Sequence, residues 1–407
     1  MGILIFLILF FISHFGGAFG HSGFDARLNS IVSPYVFSLG GWEVRNLPTE
    51  LEPPFLLRAD INDVSPVIDY FGVIKEARGL EQSLQAAKAG NSSDAGAIQA
   101  ELNRDLARES SLEGTVETII EKQIRQVLTE EGVYNPLVDV KVAFPPVRFK
   151  LSKPPDLLVV SPRDRIEYLK GIMLRPDLSD GQINNIESRV DGLNVSSLVV
   201  GIGGLGATVP TFVADDESLQ DAINTAAHEW THQYLAFRPL GFRYVLDLVG
   251  IDRNPDIVSL NETLADMIGR EIGSLVYEKY YAASVPAIGG QRSGENPGPA
   301  QPVFDFNAEM REISKTVDQY LSQGEVSEAE KYMSERRDFL ESKGYYIRKL
   351  NQAYFAFYGS YTDSPTSIDP IGAQMRQLRG ESPSIKAFLD KASSLTSREE
   401  LKKAAGP

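Results

Sequence analysis

Two of the chain's four histidines, His228 and His232, bracket Glu229 in the run A-A-H-E-W-T-H-Q-Y, residues 226–234. On a helix, residues four apart share a face, so both imidazoles of this H-E-x-x-H can bind one metal ion. Glu229 stands one step round, where it can take a proton from a water that the metal activates. A catalytic zinc takes three protein ligands and keeps a fourth position open. No histidine follows His232 and the chain has no cysteine, so the third ligand must be a carboxylate. The place to look is S-L-N-E-T-L-A-D-M-I-G-R-E-I-G, residues 259–273. Glu262 can reach the metal. Asp266, four residues on, can accept the second N–H of a ligand histidine and fix its tautomer. Glu271 is the reserve ligand.

Two helices must present these groups. The first is announced by Ser218 with Asp221, a capping-box-like start, and by Asp215 and Asp216 at the positive end of its dipole. Leu219, Ile223, Ala226, Ala227 and Trp230 recur at helical spacing as a buried stripe, and Pro239 and Gly241 end it. The second carries Leu260, Leu264, Met267, Ile268 and Ile272 on one face. A small sheet is expected between about Val138 and Val213. V-D-V-K-V-A-F, V-R-F-K-L and D-L-L-V-V are short, β-branched and separated by Pro-Pro pairs. A helix with Ile183, Ile186 and Val190 follows, then S-S-L-V-V-G-I-G-G-L-G-A-T-V-P-T-F-V, read as two strands around a glycine-rich turn. That stretch lacks the Gly-Lys-Ser/Thr of a phosphate loop. It is either a plain hairpin or an exposed strand edge to which an extended peptide could add.

H-E-W-T-H, with N-E-T-L-A-D about thirty residues later, resembles the gluzincin metallopeptidases, the thermolysin-like and aminopeptidase-like zinc enzymes. The resemblance covers roughly residues 196–283. It implies zinc (Zn2+) ligands His228, His232 and Glu262, general base Glu229 and a supporting Asp266. The spacing of a third histidine that marks metzincins is missing. So is the G-x-M-E-N segment by which many gluzincin aminopeptidases hold a substrate amino terminus. The helices after the metal site are similar to those of bacterial aminopeptidase-like proteins.

Towards the carboxyl end, residues 287–303 read as a Gly/Pro-rich loop and Phe306 to Ser342 as a charged helical pair broken near Gly324. Y-Y-I-R-K-L-N-Q-A-Y-F-A-F-Y-G-S-Y-T-D follows. Asn351, Ala353 and Tyr361 resemble an N-x-A-x-L-type helix and a following tyrosine of the aminopeptidase-like family. A phenol facing the metal can hydrogen-bond the oxyanion of the reaction. Tyr361 is the choice for that role, with Tyr358 and Tyr354 as rivals. Short helices over residues 370–403 close the chain.

At the other end, Ile3 to Ile12 is an unbroken apolar run without a preceding Lys or Arg, and Ala18-Phe19-Gly20 offers a cleavage point after Gly20. It reads as a signal peptide or membrane anchor over residues 1–20, and hence as export to the cell envelope or beyond. Residues 67–87 and 95–129 read as helices whose mixed charges form a solvated face. With 43% apolar and 23% charged residues the chain is globular, and its net charge of −15 argues against nucleic acid as a partner.

The expected fold is α+β and predominantly helical, a zincin-like core with the small sheet packed on the H-E-x-x-H helix. Its parts are a helical region over 21–135, the metal-binding core over 136–285 and a helical region over 286–407 that completes the cleft. The expected function is zinc-dependent hydrolysis of a peptide or protein substrate. The rival is a catalytically inactive envelope interaction protein with a structural or vestigial metal.

Overall fold

The computed structural model describes residues 23–38, 59–89, 94–138, 140–205, 210–215, 218–248, 251–252, 254–284, 304–359 and 369–406. The chain is predominantly helical, with two small sheets. The helices are α1 (Gly23–Val32), α2 (Ser65–Ala89), α3 (Ala95–Glu130), α4 (Asp180–Asp191), α5 (Leu219–Leu235), α6 (Pro239–Leu248) and α7 (Pro255–Tyr280). They continue with α8 (Phe306–Ser322), α9 (Val326–Ser342), α10 (Gln352–Tyr358), α11 (Pro370–Glu381), α12 (Ile385–Ala392) and α13 (Arg398–Ala404). The strands are β1 (Phe149–Leu151), β2 (Asp156–Pro162), β3 (Lys170–Leu174), β4 (Val195–Gly201), β5 (Gly204–Leu205) and β6 (Thr211–Val213).

One sheet has the order β1-β6-β5, with β1 parallel and β5 antiparallel to β6. It packs against α5 and α3. The other, antiparallel throughout, has the order β3-β2-β4. Its strands are buried on both faces. Leu158, Val160 and Val199 meet α1 and α4, while Leu157, Val159 and Val200 meet Ala353 and Phe357 of α10. Burial on both sides is why D-L-L-V-V is a continuous apolar run rather than an alternating one. The largest core unites α2, α3, α5, α7, α11 and α12 through residues such as Ile120, Ile124, Ile223, Trp230, Leu264, Ile272, Met375 and Phe388. The α8–α9 pair keeps a core of its own around Met310, Ile313 and Met333.

Three expectations need correction. V-D-V-K-V-A-F is not a strand among the described residues. Val138, Val140 and Val142 are all exposed, and local bonds from Val140 N–H to Val138 O and from Val142 N–H to Val140 O, each 2.8 Å, use the backbone groups a strand would offer to a neighbour. The strand of the second sheet that sequence reasoning passed over is β3, interrupted by Gly171, where an added Cβ would lie 1.9 Å from the Tyr168 hydroxyl. The stretch 196–213 is no simple two-strand turn: β4 pairs with β2, the chain crosses to the other sheet, and β5 pairs with β6. Only the sheet containing β5 lies on α5.

The apolar run within residues 1–20, the loop 287–303 and Tyr361 lie outside the described residues. Among the described residues, no helix is long and apolar enough to cross a membrane.

Candidate metal centre

Helix α5 starts where its sequence says it should. The Ser218 side chain accepts the Asp221 N–H and donates to its carboxylate at 2.6 Å, a cap worth about 1 kcal/mol. The end is sharp. Pro239 opens α6 immediately, and at Gly241 an added Cβ would lie 2.1 Å from the Leu235 carbonyl oxygen. Only glycine lets the chain turn back so tightly, and the turn brings α6 beside the carboxyl-terminal half of α5. Trp230, 2% exposed, donates its indole N–H to the Pro145 carbonyl at 2.8 Å and ties the loop before β1 to the helix.

Helix α7, capped by Asn254 with Pro255 in its first turn, runs antiparallel to α5 at unusually close range. Gly269 faces the backbone of His228, where an added Cβ would meet Cβ, Cα and N at 2.8–2.9 Å. One turn on, Gly273 faces Asn224, its missing Cβ 2.1 Å from the amide oxygen. Each turn forward on α5 is matched by a turn back on α7. In the same direction, towards the start of α7, Glu262 and Asn261 reach His232 with their longer side chains.

The result is a convergent set. His228 Nε2 and His232 Nε2 are 3.0 Å apart, and Glu262 Oε2 lies 3.7 Å from the first and 3.5 Å from the second. Ligands at about 2.0–2.1 Å from a tetrahedral zinc are roughly 3.3 Å from one another, so these three atoms fit such an ion. The side chains are nearly buried, at 15%, 13% and 11% exposure. Glu229, also buried, offers an oxygen within 4.8 Å of the imidazole nitrogens. Its carboxylate also lies against β5: an added Cβ at Gly204 would meet its Oε1 at 2.5 Å.

Surrounding groups hold the ligands. His232 Nδ1–H donates to Asn261 Oδ1 at 2.6 Å, which leaves Nε2 to face Glu262 and His228. Asn261 is fully buried, and its amide nitrogen has no hydrogen-bond partner among the described residues. Tyr244 on α6 donates to Glu262 Oε1 at 2.7 Å and stacks on His232, with ring centroids 5.6 Å apart and planes at 17°.

The electrostatics centre on one positive charge. Burial and the neighbouring His232 push His228 down to about 3. Burial alone would lower His232 too, but the Glu262 carboxylate outweighs it and raises His232 to about 9. Burial works to raise Glu262, yet His232, His228 and the Tyr244 hydroxyl bring it down to about 2.

Of the residues expected from sequence, His228, Glu229, His232 and Glu262 come together. Asp266 forms an ion pair with Arg270 at 2.6 Å, and of the two ligand histidines His232 donates to Asn261. Glu271 is bound by the Arg379 guanidinium at 2.6 and 2.9 Å and serves to tie α7 to α11. Tyr354 and Tyr358 stack on each other on α10, rings 4.4 Å apart, and the phenol that hydrogen-bonds the ligand set is Tyr244. Sequence reasoning missed Tyr244, Asn261 and Gly204. Asn261 was open to inference, since the residue just before a ligand glutamate sits beside it on the helix. Tyr244 had only the short Pro239 connection as a sign that α6 folds back onto the site. No family model, curated protein or solved structure matches the chain.

Proposed function

We propose that the chain is a zinc-dependent peptidase of gluzincin type with a zincin-like core, exported by way of its apolar amino-terminal run. The observation that carries this reading is the convergence of His228 Nε2, His232 Nε2 and Glu262 Oε2 within 3.0–3.7 Å, with a further carboxylate, Glu229, beside them. A structural site has no use for that second acid.

Zinc bound there supplies Lewis-acid activation of a water and of the substrate carbonyl. Glu229 takes the proton of the attacking water and delivers it to the leaving amine nitrogen, so one water is consumed per peptide bond. Asn261 keeps the His232 ring directed. Tyr244 neutralises part of the Glu262 charge by its hydrogen bond. β5 is the outer strand of its sheet and lies on Glu229, so an extended substrate pairing with it would bring its carbonyls past the base.

The test is hydrolysis of a peptide library by the zinc-loaded full chain against Glu229→Gln. Cleavage lost by about a hundredfold or more in the variant, with zinc still bound, supports the reading. Tight zinc binding without cleavage by either protein would instead assign a structural metal and an interaction role.

A further inference from the structure

The seat of the general base contains a feature that the motif does not specify. At Gly204, the three nearest atoms to an added Cβ all belong to the Glu229 side chain: Oε1 at 2.5 Å, Cγ at 2.7 Å and Cδ at 2.9 Å. Gly269 of α7 differs in kind, since an added Cβ there meets the Cα and N of His228. Gly204 is not among the positive-φ residues, so its backbone does not itself demand glycine. What demands it is the carboxylate lying on its Cα.

The strand cannot withdraw to make room. Gly204 is paired with Val213 and Leu205 with Phe212. The Ala214 N–H donates to the Gly203 carbonyl at 2.8 Å, and the Thr211 hydroxyl donates to the Leu205 carbonyl. Val213 and Phe212 are buried at 0% and 2% exposure. Glu229, in contrast, hangs from a helix by rotatable bonds. Of the two, the side chain is the part that yields.

Resting on the reading of Glu229 as general base, we propose that Gly204 is a positioning residue: the bare backbone of β5 is the surface that fixes the Glu229 carboxylate beside the ligand set. The same two-residue strand presents the sheet edge, so docking of an extended substrate and placement of the base depend on one piece of main chain. A side chain at position 204 displaces the base and leaves the metal ligands in place.

The experiment compares the zinc-loaded full chain with Gly204→Ala, Glu229→Gln and the double variant, by crystal structure and by steady-state kinetics. In the Gly204→Ala crystal the carboxylate is expected to shift by about an ångström while β5, His228, His232 and Glu262 stay. A misplacement of that size lowers kcat by about a hundredfold, with KM and zinc affinity within about twofold. In the Glu229→Gln background, Gly204→Ala then adds no further loss. An unmoved carboxylate, a displaced β5, an effect confined to KM, or an unfolded Gly204→Ala protein would each overturn the proposal. If the unsubstituted protein cleaves nothing, the peptidase reading fails by itself, and the crystal comparison still decides whether Gly204 seats Glu229.

Discussion

The closest constraint on the metal centre is the contact of α7 with α5, and one methyl group measures it. In Gly269→Ala, the new Cβ would lie 2.8–2.9 Å from three atoms at the root of His228, two of them backbone. Restoring ordinary contact requires the two helices to part by about 0.6 Å or more at that turn, because close-packed backbone does not compress. Overpacking of this kind costs about 1–3 kcal/mol. The same substitution gains about 1 kcal/mol of helix propensity at any open site. Gly79, exposed on α2 with nothing within 4 Å, supplies the control. Gly79→Ala should be stabilising. Gly269→Ala should lie about 1–3 kcal/mol below it, roughly 1–4 °C in melting temperature for a chain of 407 residues. Parting the helices also draws the His228 ring away from Glu262, and zinc affinity should fall by about tenfold or more. Thermal melts with and without zinc, together with calorimetric titration of the metal, read both effects. Equal melting temperatures for the two alanine variants would show that α7 does not approach α5 as described, and the geometry of the ligand set would fall with it.

Zinc binding at pH 7 should release about one proton, since His232, raised to about 9, must give up its Nε2 proton to a metal. Affinity should therefore weaken about tenfold per pH unit below that value, and titration heats should differ between buffers of different ionisation enthalpy; heats independent of buffer would count against it. On α3, burial pushes Glu117 up to about 8 against the pull of Lys150, and Glu121 up to about 7 against that of Arg148. A carboxyl whose folded pKa exceeds its unfolded one stabilises the fold fully below the ordinary value and ceases to do so as pH rises through the folded value. Stability measured in urea should thus decline between about pH 4.5 and 8, by a few kcal/mol at most, and the decline should flatten in Glu117→Gln/Glu121→Gln. An unchanged slope in that double variant would refute the assignment.

How far the sequence carried depended on whether a residue's role was local. The helices over residues 65–130, 219–235, 255–280 and 306–342 were legible because apolar periodicity, Ser218 as cap and Pro239 as stop act within a few residues. Glu262 was legible by elimination, because few side chains remained that could complete the site. Val138, Val140 and Val142 misled because alternation signals a strand only when a neighbour accepts it, and here all three side chains face solvent. Gly171 hid β3, since the reason for a glycine there is the Tyr168 hydroxyl folded over it. Asn261 and Tyr244 act across helices, through contacts that no local pattern encodes. The charges of α3 were only partly a solvated face, because Glu117 and Glu121 are 4% and 5% exposed.

Those interior acids belong to a device used twice. Glu117 and Glu121, four apart on α3, accept the N–H groups of Leu151 at 2.9 Å and Phe149 at 3.1 Å on the outer edge of β1. Glu187 and Asp191, four apart on α4, accept those of Val199 at 2.6 Å and Ser197 at 2.8 Å on the outer edge of β4. Four residues of helix advance about 6.0 Å and two residues of strand about 6.6 Å, so paired carboxylates on a helix match the alternate donors of an edge strand. Basic side chains complete the arrangement, Lys150 on Glu117 and Arg348 on Glu187, and Arg348 and Asn351 also reach the β4 carbonyls of Val199 and Ser197. On β3, the segment around Val36 bridges to Leu174. Three sheet edges are thereby closed against further strands, by side chains or by the chain itself. The fourth edge belongs to β5, the strand that carries Gly204 and seats Glu229. A fold that uses Glu117, Glu121, Glu187 and Asp191 to cover two of its sheet edges leaves β5, among the described residues, as the edge open to strand addition, beside the proposed base and metal ligands.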